Sequence, residues 1–276
     1  MFGFYNMVLR INATQQSFDL KMIPDEVLAR TLGGKGLATH LLLLHNAAGV
    51  DAMSPENHLV FTTGPVTGTP VWGSCRYGVY TKSPQTGYYS ESYSGGTVAE
   101  YMARTGFDAV MIHGASDEPT WIEVSPEAAQ FHPAGDLWGL DTYATEERIK
   151  AWIKENRPAA SKCGVVVVGP AAENGVTFSV IENDCWRSAG RTGVGAVMGS
   201  KKIKAIAFWG NKTKELADSA LVKEFAKSLS KRAKDDPGVK AYKSMGTPMM
   251  VDIMSRVGSF PTHYWHKGTA DHREQI

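Results

Sequence analysis

The chain has 276 residues, 43% of them hydrophobic and 21% charged, with a formal net charge of +1. That length and composition suit one large globular domain or two modest ones, each able to bury a real core. Near-neutral charge argues against a nucleic-acid or other polyanion surface, so any cationic site has to be local.

The three cysteines, Cys75, Cys163 and Cys185, form no Cys-x-x-Cys pair, and an odd number argues against a secreted disulfide scaffold. The first ten residues lack the long apolar stretch of a secretory signal. The longest apolar runs, at 41–44 and 165–168, are far too short to cross a bilayer. The expectation is a soluble cytoplasmic protein with no membrane and no nucleic-acid partner.

In chain order, residues 8–12 and Ser17–Met22 alternate like strands around a turn at 14–16. Pro24 fits the first position of a helix reaching residue 32, which Gly33-Gly34 ends, and a second helix is predicted over 37–45. Short strands follow at Leu59–Thr63, Tyr77–Lys82, 88–92, Ala109–His113, 121–124, 164–168, 176–181 and 205–209. Helices are predicted over 97–104, 142–155 and 193–200. Short turns such as Ser83-Pro-Gln-Thr-Gly87 suit antiparallel neighbours, so the class is α+β, not doubly wound. Composition shifts near residue 212, and further helices are predicted over 219–234 and 246–257. The division is therefore 1–212, then 213–276 as the start of a helical region.

The segment Arg187-Ser-Ala-Gly-Arg-Thr-Gly-Val-Gly-Ala-Val-Met-Gly-Ser-Lys201 is Gly-rich and cationic. Small residues let a backbone approach a ligand, free N–H groups at a helix start favour anions, and Arg187 and Arg191 add bidentate donors. It has neither P-loop nor dinucleotide-fingerprint spacing, and a tight turn packing a helix on a sheet explains it equally well. Two internal echoes suggest duplication. Arg104-Thr-Gly-Phe-Asp-Ala-Val-Met111 matches residues 191–198 at six of eight positions, and Phe61-Thr-Thr-Gly-Pro65 resembles Val166-Val-Val-Gly-Pro170.

Other motifs carry two readings each. Arg76 at a strand mouth either reaches a ligand or solvates an edge. Ser94-Gly95-Gly96 is either an anion nest or a capped turn. Gly33-Gly-Lys-Gly36 lies between helices and reads as a turn. His263-Tyr-Trp-His266 with His272 reads as a surface loop or partner interface more than a metal site. Cys75 and Cys185 read as small packed residues more than reactive thiols.

Taken together, Leu32-Gly-Gly-Lys-Gly-Leu-Ala38, Ser54-Pro-Glu-Asn57, Thr63-Gly-Pro-Val-Thr-Gly-Thr69 and Arg76-Tyr-Gly-Val-Tyr-Thr-Lys-Ser-Pro-Gln-Thr-Gly87 form an ordered set. It continues with Ser94-Gly-Gly96, Gly106-Phe-Asp-Ala109, Gly169-Pro-Ala-Ala-Glu-Asn174 and Ala189-Gly-Arg-Thr-Gly-Val-Gly-Ala-Val-Met-Gly-Ser-Lys201. In this order and spacing the chain resembles the N-terminal part of the tungsten-containing aldehyde ferredoxin oxidoreductase family. The resemblance implies an α+β base of two related halves. That base holds a bis-pyranopterin carrying tungsten (or molybdenum), with magnesium bridging the pterin phosphates. It implies that Arg76 contacts a pterin phosphate, that Gly95 allows close backbone approach, and that Arg187, Ser188 and Gly190 make the matching contacts. It also implies that the carbonyls of Tyr93 and Ser188 hold the magnesium, although one familiar form has Asn and Ala at these positions.

Residues 242–262 resemble the entry to the family's helical domains. The family's Cys-x-x-Cys-x-x-x-Cys motif for a 4Fe-4S cluster does not occur among the 276 residues. No catalytic residue is carried over. The resemblance implies that the chain alone is inactive. It needs the helical domains or a second subunit, and ferredoxin, before it oxidises an aldehyde. The alternatives are a non-catalytic pterin-binding fragment or split subunit, or a relative acting on another substrate such as an aromatic thioester. Exposed interface makes homodimerisation a further expectation.

Overall fold

The structure is a computed structural model that describes residues 1–160 and 162–270. Among these, strands pair into two six-stranded sheets. The first holds β1 (Met7–Asn12), β2 (Ser17–Met22), β3 (Leu59–Thr63), β4 (Tyr77–Lys82), β5 (Tyr89–Ser94) and β6 (Ala109–His113), in the order β2-β1-β6-β3-β4-β5. The second holds β7 (Thr120–Val124), β8 (Ala129–Pro133), β9 (Gly164–Val167), β10 (Ile181–Asn183), β11 (Arg187–Ala189) and β12 (Ile203–Phe208), in the order β8-β7-β12-β9-β10-β11.

Adding six to each strand number of the first sheet reproduces the second. Direction repeats as well: β1–β6 and β7–β12 are parallel, and every other neighbouring pair is antiparallel. The two related halves of the expected α+β base are therefore present as repeated topology.

The central strands of each sheet are largely apolar on both faces, as suits strands covered on both sides. Leu59-Val-Phe-Thr-Thr63 and Ile203-Lys-Ala-Ile-Ala-Phe208 are buried along their whole length. One face of each sheet contributes to a shared core, where Leu9, Ile11, Phe61, Val110 and Ile112 join Ile122, Val124, Val166, Ile206 and Phe208. The Phe61 and Phe208 rings lie 6.4 Å apart there, and burying each stabilises the fold by about 2–3 kcal/mol. The opposite face of the first sheet is covered by α1 (Asp25–Thr31) and α2 (Gly34–His45), and that of the second by α4 (Thr142–Asn156). The helices α3 (Val98–Arg104) and α6 (Val194–Ser200) each touch strands of both sheets. A short helix, α5 (Pro170–Glu173), follows β9.

Several elements differ from the sequence reading. Pro24 caps α1 in extended geometry instead of opening it, and the Gly33-Gly34 break leads directly into α2. Residues 176–180 are not a strand. A Cβ on Gly195 of α6 would lie 2.4 Å from the Val180 carbonyl oxygen, so α6 occupies the space a regular strand needs, and only Ile181–Asn183 pair. The strands β8 and β11 carry too few apolar residues to register as strands, yet they pair as edges. The longer echo joins unlike places: residues 104–111 end α3 and enter β6, whereas 191–198 form a loop and α6. The Gly-Pro echo does mark equivalent positions, the ends of β3 and β9.

The chain divides into two compact units, Met1–Ser219 and a second from Ala220 onward. The second is helical. Its elements are α7 (Ser219–Ala233), α8 (Pro237–Met245) and α9 (Met250–Arg256), the last preceded by one tight turn at Thr247–Met249. The helix predicted over 246–257 is thus split, and α8 had no sequence prediction. Asp236 caps α8 by accepting the Val239 N–H at 2.9 Å.

Candidate cofactor site

The edge strands β5 and β11 meet, and the residues around them come from both halves. The buried Tyr77 hydroxyl, at the start of β4, donates to Asn183 Oδ1 at 2.8 Å, and the Ser94 hydroxyl donates to the same oxygen at 2.9 Å. Asn183 Nδ2 donates to the Gly95 carbonyl at 2.9 Å. The Asp184 carboxylate accepts the Thr97 N–H and hydroxyl, each at 2.7 Å. Burial alone would raise the Asp184 pKa, but the bonds from Thr97 and Asn183 and the charge of Lys150 outweigh it and hold the carboxyl below its ordinary range. Burial also pushes the Tyr77 phenol well up, so it stays protonated and donates.

A three-residue turn, Asp184-Cys185-Trp186, joins β10 to β11, and its first two residues are left-handed: Asp184 has φ 48° and Cys185 φ 70°. Glycine or asparagine usually fills such positions. Here Glu146 of α4 holds them. Its Oε1 accepts the Asp184 N–H and its Oε2 the Cys185 N–H, each at 3.0 Å, while Lys150 pairs with the same carboxylate. The next turn of chain carries Arg187 into β11.

Arg76 and Arg187 converge on Gly95. A Cβ there would lie 3.3 Å from Arg76 Nη1 and 3.6 Å from Arg187 Nη1. Both arginines are exposed, and among the described residues neither guanidinium has a hydrogen-bond or ion-pair partner. Two like charges aimed at one point repel unless an anion lies between them, and a planar guanidinium suits a phosphate or carboxylate. Gly96 has φ 90°, and a Cβ on it would fall 2.1 Å from Asp184 Oδ2, so this position admits only glycine. Gly190 differs: it is exposed, and a Cβ would meet Ser188 at 3.5 Å, an ordinary contact.

The loop after β11 lies on β5. The Arg191 N–H donates to Ser92 Oγ at 3.0 Å, the Ser83 hydroxyl donates to the Thr192 carbonyl at 2.8 Å, and the Ser90 and Thr192 hydroxyls bond each other. Tyr93 is half-exposed, its ring set edge-on to Tyr80 at 5.9 Å. The Ser188 hydroxyl donates to Glu182 at 3.1 Å. Arg76, Gly95 and Arg187 thus come together, with Tyr93 next to Ser94 on β5 and Ser188 and Gly190 beside Arg187. Asn183, Asp184, Thr97 and Glu146 were missed by sequence reasoning. The Asn-Asp pair after the strand-like run 176–181 was a readable turn signal, but nothing near Glu146 marked it.

Among the described residues, no group of three His, Cys, Asp or Glu side chains is placed to hold a metal ion, and no helix is long and apolar enough to cross a membrane. His263–His266 lie in an exposed turn, and His272 lies outside the described residues.

These features define a duplicated two-sheet base with two converging, unpartnered guanidiniums where the halves meet. The family model "Aldehyde ferredoxin oxidoreductase, N-terminal domain" matches residues 8–210, and the chain belongs to that family. It is 37% identical over 276 residues to a tungsten-containing aldehyde ferredoxin oxidoreductase of Thermococcus kodakarensis, covering 99% of this chain and 44% of that relative. It is 35% identical to the similarly named protein of Pyrococcus abyssi, with the same coverage. It is 27% identical, over 75% of its length and 34% of the relative's, to an aliphatic sulfonate oxidoreductase WOR-like subunit of Pyrococcus furiosus. Among solved structures, the active-site complex BamBC of benzoyl coenzyme A reductase matches with TM-score 0.78 and 30% identity, over 85% of this chain and 36% of that one. The chain therefore spans less than half the length of the curated relatives it resembles.

Proposed function

We propose that this chain is the cofactor-holding N-terminal portion of an aldehyde:ferredoxin oxidoreductase-type enzyme. The observation that carries the reading is the pair Arg76 and Arg187, two guanidiniums without counter-ions that converge on Gly95. The residues fit a bis-pyranopterin: each guanidinium would take one pterin phosphate, and Gly95 and Gly190 would let the ligand approach the backbone. The carbonyls of Tyr93 and Ser188, one from each half, would hold a magnesium ion through hard oxygen ligands. Repeated topology suits a ligand with two similar pterins. When bound, the tungsten- or molybdenum-bearing group supplies the two-electron oxidation of an aldehyde, with water, to a carboxylic acid. The chain's own residues bind and orient that group.

The 276 residues contain no closely spaced cysteines. The 4Fe-4S cluster and the ferredoxin contact therefore belong to helical domains or a second subunit, and the chain alone is inactive. Relatives named for aldehydes, aliphatic sulfonates and glyceraldehyde-3-phosphate leave the substrate to those other parts. The test is to express the chain in a cell supplied with tungstate and measure metal and pterin per chain. The parent binds both stoichiometrically, and R76M and R187M lose them. An unaltered metal content in both variants overturns the assignment, and aldehyde-dependent dye reduction by the chain alone overturns its predicted inactivity.

A further inference from the structure

A cavity sharing no residue with the arginine pair opens on the helix-covered face of the first sheet. Its volume is about 490 Å³, within the size range of small-molecule pockets, and Arg10, Gln15, Asp19, His45, His58 and His113 line it. The three imidazoles form a row, with His45 and His58 ring centroids 5.6 Å apart and His58 and His113 stacked at 5.3 Å. Asn46 Oδ1 accepts the His58 backbone N–H at 2.9 Å and lies 2.8 Å from His58 Nδ1, which assigns the His58 proton to Nδ1. His113 Nδ1 is buried and has no hydrogen-bond partner. Arg10 gives Nε and Nη2 to Asp19, at 2.6 and 2.9 Å, which leaves its Nη1 donors uncommitted.

The charged groups that act on the row are Arg10 and Asp19 on β1 and β2, and Lys201 after α6, itself facing Glu56. His40 acts on His45 from within α2. Burial is the largest cause lowering all three histidines, to about 4 for His58; Arg10 acts the same way on His45 and His113, and Lys201 on His58 and His113. The rings are therefore neutral at pH 7, with Asp19 and the Ile11 backbone acting on His113 in the opposite sense.

The duplication supplies an internal comparison. Arg10 lies opposite Met111, and Met111 opposite Val60; Glu123 lies opposite Ala207, and Ala207 opposite Val165. Val60 and Val165 each stand four residues before the glycine of Gly-Pro, so Glu123 occupies in the second half the place of Arg10 in the first. There the carboxylate is buried and accepts from Arg157 at 2.6 Å, Trp209 at 2.8 Å and His132 at 3.0 Å. The second half thus encloses an anion of its own among cationic and N–H donors. The first half presents donors around an opening, and the fold itself does not demand that opening.

We propose that this cavity binds a small organic anion, its carboxylate or phosphate group set against Arg10 and His113. An anion there favours protonated imidazole, so binding and proton uptake are linked and affinity rises as pH falls.

Sulfate, a dianion throughout pH 6–8, is titrated into the 276-residue chain at constant ionic strength while the histidine ring signals are followed by NMR. The expected result is saturable shifts of His45 and His113, with affinity strengthening toward lower pH and approaching tenfold per pH unit where one proton accompanies each anion. At pH 8 citrate, which uses more of the cavity, binds tighter than sulfate. Arg10→Gln removes saturation. Gln15→Glu, on an exposed turn away from the core, weakens binding several-fold and decides the question even if the first variant fails to fold. Unsaturable shifts, pH-independent affinity, no gain for citrate, or equal binding by folded variants overturns the proposal.

Discussion

Glu146 is the structural pin of the arginine site, and removing it gives a calculable result. Its carboxylate, 4% exposed, accepts the N–H groups of Asp184 and Cys185. Hydrogen bonds to charged groups contribute about 1.5–3 kcal/mol each, so two lost bonds cost about 3 kcal/mol at the lower end of that range. The Lys150 pair adds little, because Lys150 is 38% exposed and Asp184 stands 3.6 Å away as a second partner. Left-handed geometry at Asp184 and Cys185 opposes the turn by about 1–2 kcal/mol per residue once nothing holds it. For a unit the size of Met1–Ser219, about 3 kcal/mol corresponds to a melting temperature lower by about 6–12 °C. Glu146→Ala should show that loss by calorimetry, and Glu146→Gln, which keeps one acceptor, about half of it. With Cys75 replaced by Ser, Cys185 should also alkylate faster in Glu146→Ala, since Cys163 is buried and silent. Melting within about 2 °C of the parent, with unchanged alkylation, would refute the reasoning.

The paired glycines give opposite expectations. Gly96→Ala places a methyl against Asp184 and Asn183 at positive φ and should cost about 3 kcal/mol in urea unfolding. Gly190→Ala meets ordinary contacts and should leave stability within about 0.5 kcal/mol while lowering tungsten retention. Arg76→Met and Arg187→Met should each weaken cofactor retention by about tenfold or more, read as metal per chain after gel filtration. The His58 ring, with its ordinary value of 6.5 lowered to about 4, takes up its proton in the unfolded state first. Its contribution is therefore complete above pH 6.5 and is lost as pH falls toward 4, by about 2 kcal/mol after allowance for partial solvent access. His58→Gln should flatten that acid limb in unfolding curves measured between pH 7.5 and 4.5, and an unchanged slope would count against it.

Much of the molecule follows from local sequence alone. The buried central strands are legible because a strand covered on both faces is largely apolar, as Leu59–Thr63 and Ile203–Phe208 are apart from Thr62, Thr63 and Lys204. The Gly-Pro ends of β3 and β9 mark the duplication, and the spacing of Gly95 and Arg187 among small residues marks a place where backbone can approach a ligand. Tertiary structure alone decided the rest. Edge strands such as β11 gain their identity from a partner ladder, not from composition, and residues 176–180 lose theirs because α6 presses on them. The longer echo misleads because eight residues specify no location in a fold. Convergence of Arg76 and Arg187 on Gly95, and the hold of Glu146 on a turn 38 residues further on, arise only when distant segments meet, since charge and hydrogen-bonding geometry act through space while sequence pattern records neighbours along the chain.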